Sequence, residues 1–170
     1  FVIIIGITDD SSETSSKSQT SETQESVSSY EWHTEEGTLL RNVEEVIVDQ
    51  IGEQNNMGEY TVLSIQTERD GLWINYHASE NLTANMTRGG IKSDMVDVFS
   101  NLNNDILDDF YSVTIVAELP LVSPEGNESM GNVMTVSLTT DKIREINWDN
   151  FLRENLEIVS SVYNVHPAIQ

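Results

Sequence analysis

This sequence has no cysteine. That excludes a disulfide framework, thiolate catalysis and any zinc or iron–sulfur site built on cysteine. Basic residues are scarce too: 8 Lys and Arg stand against 29 Asp and Glu in 170 residues, a net charge of −21. A charge of that sign repels nucleic-acid phosphates and anionic lipid head groups, so nucleic acid is excluded as a partner. The acidity first serves dispersion. Cationic partners or bound divalent cations are the functional alternative, and a salt-adapted host carries the same bias.

Familiar catalytic and cofactor motifs are also missing. There is no Gly-x-Ser-x-Gly elbow and no Gly-x-x-x-x-Gly-Lys loop. His33, His77 and His166 lie far apart, with none of the short spacings of a zinc site. Asn101, Asn103 and Asp105 copy the first ligand positions of a calcium loop. The copy then fails: Ile106 stands where Gly is needed and Ser112 where a bidentate Glu is needed. No metal, cofactor or catalytic residue is expected. Gly89-Gly90 is read as preceding a helix; with Arg88 and Lys92 beside it, it is the one basic spot, either an anion site or a pliable helix start. Sequons occur at Asn81, Asn85 and Asn127, usable only in a secreted eukaryotic protein.

What is present is organised in three parts. Residues 1–7, FVIIIGI, hold no polar side chain. Seven helical residues rise only about 10 Å, too short to span a bilayer. Asp9 and Asp10 follow at once, with no cluster of Lys or Arg, so the stretch reads as the outer end of a membrane-spanning segment. A buried β-branched strand is the alternative. Residues 8–31 are mostly Ser, Thr and Glu, with too little apolar surface to offset ordering. They read as a flexible stalk with a reach of roughly 25–30 Å. Residues 32–170 are the globular domain. The acidity belongs to it: residues 31–170 keep 24 of the 29 acids and 7 of the 8 bases.

Periodicity gives the elements of that domain. Leu39, Leu40, Val43, Val46, Ile47 and Ile51 make one helical face, with Thr38 as N-cap and Gly52 as stop. YTVLSIQT and LWINYHA form a hairpin about Asp70-Gly71. Ile91, Met95, Val98, Phe99, Leu102 and Ile106 make a second helical stripe. YSVTIVAEL and NVMTVSLT form a second hairpin about PEGN, and Thr140 or Asp141 caps a short helical turn. A last helix is expected to carry Phe151, Leu152, Leu156, Val159 and Tyr163. Alternation gives the strands one apolar face. The expected fold is therefore α+β: a two-layer sandwich with a four-stranded antiparallel sheet, helices on one face, and the order α-β-β-α-β-β-α. The opposite face would show Trp73, Asn75, His77, Thr114, Val116, Glu118, Thr135 and Ser137. It is the candidate contact surface, unless it is merely solvated or covered by Trp32.

The C-terminal stretch INWDNFLRENLEIVSSVYNVHPA carries a resemblance. Through Ile146, Asn147, Trp148, Phe151, Leu156, Tyr163, His166 and Pro167, and with the stub-and-stalk opening, the chain resembles extracytoplasmic domains of Gram-positive membrane proteins and lipoproteins. That resemblance implies a cell-membrane location with the domain outside, and no particular activity. Read physically, Trp148 and Phe151 are core anchors, Pro167 ends the last helix, and His166 caps carbonyls before it.

These observations describe a membrane-tethered domain that acts by binding an unknown protein or envelope component. Its contact residues are Trp73, Asn75, His77, Thr114, Glu118 and Thr135. A cell-envelope hydrolase with paired carboxylates and a non-binding spacer are the two alternatives.

Overall fold

A computed structural model describes residues 35–170. The expectations for the stub, the stalk, Trp32 and His33 lie outside the described residues. The described chain is α+β. Helix α1 spans Glu35–Ile51, followed by strands β1 (Val62–Glu68) and β2 (Gly71–His77). Helices α2 (Ala84–Asn101) and α3 (Asn104–Leu107) lead to β3 (Ser112–Val122) and β4 (Glu128–Thr139). Helix α4 (Thr140–Glu145), two 3-10 turns, α5 (Leu156–Val159), β5 (Val162–Val165) and a final 3-10 turn, Pro167–Ile169, complete the order.

Local chemistry explains most boundaries. Helix α1 ends because Gly52 takes φ +94°, a left-handed conformation that only glycine enters cheaply, and its N–H donates to the Val48 carbonyl at 2.9 Å. Thr38 does not cap this helix; it lies one turn inside it. Helix α2 begins at the N-cap Thr83, whose hydroxyl accepts from the Met86 amide at 3.2 Å. The break before α3 is capped by Asn103, which accepts from Ile106 N–H at 3.0 Å. The first hairpin turns one residue earlier than expected. Glu68 pairs with Gly71, so the loop is Arg69-Asp70, with Arg69 at φ 57°.

The sheet corrects the sequence reading in three ways. It has five strands in the order β1-β2-β3-β4-β5, not four. It is mixed, not antiparallel: β2 and β3 run parallel, in register from Gly71↔Ser112 to His77↔Glu118. One apolar face per strand favours antiparallel sheets in general, but here the connection decides. The α2–α3 segment brings the chain back along the sheet, so β3 leaves in the direction of β2. Third, the expected last helix is replaced by turns, the four-residue α5 and β5. Val162 to Val165 alternate, and in the native fold they pair with Met134 to Ser137 on the open edge of β4.

One cluster forms the core. It joins Leu40, Val43 and Ile47 of α1 with Ile91, Met95, Val98 and Phe99 of α2. It takes Leu72, Ile74 and Tyr76 from β2, Val113, Ile115 and Ala117 from β3, and Met134, Val136 and Leu138 from β4. The stripe of the second helix is therefore right in composition, although it runs over a break: Ile106 sits on α3. Val133 and Met134 are adjacent yet both buried. A bulge explains this, since the partner shifts from Met134 to Asn132 between Ala117 and Glu118. Val116 is 3% exposed but stands outside the core cluster, because it points to the other sheet face.

Phe99 is fully buried where α2 meets the sheet. Phe99→Ala should cost about 3–5 kcal/mol, a large share of ordinary domain stability. Urea denaturation would read this as a lower midpoint at constant slope. Gly52→Ala should destabilise by about 1–2 kcal/mol through backbone strain alone, without changing the circular dichroism spectrum.

Candidate functional site

The register assembles the six residues named from sequence on one sheet surface. Two rows of paired positions cross all five strands. One runs Gln66, Trp73, Thr114, Ser137 and Val162; the next runs Ser64, Asn75, Val116, Thr135 and Asn164. His77 and Glu118 pair in the row beyond. The β5 ends of these rows, Val162 and Asn164, are not legible in the sequence, where the apolar residues from Phe151 to Tyr163 point to a helix. The alternating Val-Tyr-Asn-Val was the available signal.

Hydrogen bonding divides these residues into two groups. Asn75 donates to Ser64 Oγ at 2.8 Å, and Thr114 Oγ1 donates to Ser137 Oγ at 3.0 Å. The His77 Nδ1 lies 2.9 Å from the Tyr60 carbonyl. The first two are engaged within the sheet and His77 by the segment before β1, and Thr114 is only 5% exposed. The side chains of Trp73, Glu118 and Thr135 make no hydrogen bond among the described residues. Trp73 is 38% exposed, and Val162 at the far end of its row is 41% exposed. The surface is thus a shallow platform of hydroxyls and amides with one accessible indole.

A second feature is a cleft of about 510 Å³ beside α2 and β5. Arg88, Lys92, Glu157, Tyr163, Asn164 and Gln170 line it. A third, of about 420 Å³, is lined by Asn56, Met57, Glu80, Asn81 and Leu82. Each contains one carboxylate. Gly89 and Gly90 do not open a helix, as the sequence suggested; they lie within the second turn of α2, where their amides serve the helix. Their use is spatial. A Cβ on Gly90 would lie 3.2 Å from Asn81 Nδ2, and one on Gly89 would lie 3.4 Å from the Arg153 guanidinium. That guanidinium lies along α2 and donates to Ser93 Oγ at 2.8 Å. Asp108, at the C-terminal end of α3, receives Arg144 at 2.6 Å. His166 caps the amide after it, Ala168 N–H at 3.1 Å, rather than carbonyls before it. Trp148 and Phe151 meet edge to face at 5.1 Å against the core, and the Trp148 indole donates to the Ile143 carbonyl at 3.0 Å.

The fourth feature was invisible in the sequence. Asp94 on α2 is half-buried beside the buried Tyr76 hydroxyl of β2. Burial, with the neighbouring charge of Asp97, raises the Asp94 pKa from 3.8 to about 6; the Tyr76 hydroxyl pulls it the other way. Burial and the Asp94 charge together push Tyr76 well above its ordinary value.

No protein-family model, curated protein or solved structure matches this chain.

A raised carboxylate pKa has a definite sign in stability. The folded state binds the proton more tightly than the unfolded state, so the stabilising contribution is complete below pH 3.8 and is lost as pH rises through about 6. Asp94→Asn should therefore be stabilising at pH 7.5, on the order of 1–3 kcal/mol. The gain should vanish near pH 4. Melting curves at both pH values test this, and a variant that melts lower than the parent at pH 7.5 would contradict it.

Proposed function

We propose that this chain is an extracytoplasmic, membrane-tethered binding domain whose contact surface is the sheet face around Trp73. The carrying observation is the side chains themselves: an accessible indole, with Glu118 and Thr135 further along the same sheet face, none of them engaged by hydrogen bonds among the described residues. Aromatic rings supply most contact energy where they can be desolvated. The exposed Gln66, paired with Trp73 on β1, and the hydroxyl of Thr135 on the same face can take a polar partner. The rows of backbone pairing hold these groups on a rigid platform, which lowers the ordering cost of binding. The net charge of −21 favours a neutral or cationic partner over a polyanion. The apolar stretch 1–7 and the Ser/Thr/Glu tract after it support the tether.

The envelope-hydrolase alternative needs two carboxyl groups about 5–10 Å apart in a cleft. The clefts beside α2 and beside Glu80 have one carboxylate each. Asp94 and Asp97 are near one another, but they line neither cleft. Binding is therefore the stronger reading.

Two experiments bear on it. The chain has no cysteine, so one introduced at the exposed turn residue Glu125 is a unique label site. With Glu125→Cys expressed in a Gram-positive host, a membrane-impermeant maleimide should label intact cells. Labelling only after lysis would reject the location. For the surface, soluble envelope fragments and basic peptides would be titrated while following tryptophan fluorescence. Trp73→Ala should weaken any binding found by about tenfold or more, with an unchanged melting temperature. Undiminished binding by that variant would reject the surface.

A further inference from the structure

The cleft beside α2 has a different chemistry from the sheet face, and it does not depend on the reading of that face. Arg88 and Lys92 are four residues apart, so they share one side of α2. Like charges at this spacing weaken a helix. In a chain with 29 acids, both would be expected to hold a carboxylate. Neither does among the described residues: Arg88 meets only the Asn85 side chain, at 2.9 Å, and Lys92 sits over the Tyr163 ring at 5.5 Å. The nearby Glu154 pairs with Arg153 at 3.1 Å; a backbone hydrogen bond, Arg153 and, more weakly, the charge of Lys92 hold its carboxyl below the usual range. Glu157 lines the same cleft without pairing to either cation. A cleft of about 510 Å³ is thus lined by two cations and a carboxylate that form no ion pair with one another, and by Gln170, whose side-chain Nε2 donates to the Val165 carbonyl at 3.1 Å.

We infer that this cleft binds a small zwitterion, a short peptide with free amino and carboxyl ends. The Arg88 fork and the Lys92 ammonium suit a carboxylate. Glu157 suits an ammonium, and the Gln170 side-chain oxygen, on an amide whose Nε2 donates to the Val165 carbonyl, suits a peptide N–H. The overall field makes the choice between anions. A phosphate or citrate must enter the field of a −21 molecule and face Glu157, at a cost that grows with its charge. A zwitterion has no net charge and escapes that cost. The volume lies within the ordinary range for small-molecule sites, and the wet, polar lining predicts modest affinity.

Calorimetric titration of residues 1–170 with Ala-Ala, N-acetyl-Ala-Ala, Ala-Ala amide and inorganic phosphate tests the inference. Ala-Ala should bind with a dissociation constant between about 10 μM and 1 mM. Capping either end should weaken binding by about tenfold, and phosphate should not compete. Arg88→Gln and Lys92→Gln should each cost about tenfold with unchanged melting temperatures. Glu157→Gln should remove the preference for the free amino end only. Trp73→Ala should have no effect, which separates this site from the sheet face. No heat with Ala-Ala at 10-fold above that range, equal binding of the capped peptides, tighter binding of phosphate, or indifference to the Arg88 and Lys92 substitutions would each overturn it.

Discussion

The parallel pairing of β2 with β3 is the constraint on which the architecture depends. Two hairpins, β1–β2 and β3–β4, each have antiparallel partners within themselves. They join edge to edge only because α2 and α3 carry the chain back along the sheet before β3 begins. That return places Ile91, Met95, Val98 and Phe99 over the inward residues of β2, β3 and β4, and so closes the core. It also makes β2 and β3 interior strands, with Trp73 and Asn75 set against Thr114 and Val116 on the outer face. An isolated hairpin is marginal in water; the crossover turns two of them into one sheet with a buried side.

Helix α2 then acts as the hub of the described domain. Its apolar stripe faces the sheet. Asn101 reaches Gln50 of α1 at 3.1 Å, and Asp94, seven residues earlier, shares that helix face. On its outer side Arg153 lies over Gly89 and ties the C-terminal turns to Ser93. Near β5, Arg88 and Lys92 look into the polar cleft. Two turns of this helix thus hold a burdened carboxyl, the seat of the Arg153 guanidinium and two cations outside any ion pair. Glycine pairs weaken helices. Here the space at Gly89 and Gly90 is filled by Arg153 and Asn81, so the cost is offset by close packing.

The two polar surfaces differ in how they are satisfied. On the sheet face, Asn75 and Thr114 bond to neighbours on adjacent strands, which stiffens the platform around Trp73. In the cleft, opposite charges stand near each other without contact, in a chain rich in acids. Glu157 is exposed and Arg88 and Lys92 are only partly covered, so solvent sustains the arrangement until a ligand replaces it.

Local spacing was enough to determine much of this protein. The stripes Leu40-Val43-Ile47 and Ile91-Met95-Val98-Phe99, the alternation in β2 to β4, the stop at Gly52 and the turn at Gly126 follow from side-chain period and backbone sterics, which act over a few residues. The outward set of Trp73, Asn75, His77, Thr114, Glu118 and Thr135 follows from the same alternation. Tertiary structure alone decided the parallel register, the bulge at Val133 and the fate of residues 162–165. Each depends on which edge is open and which way the chain returns, and those are properties of partners distant in sequence. The same holds for Asp94 and for the cleft. The Asp94 carboxyl acquires an altered pKa only when α2 packs over Tyr76, 18 residues earlier, and Arg88 and Lys92 come to line a cleft with Glu157 only when a segment some 65 to 80 residues further on closes beside them.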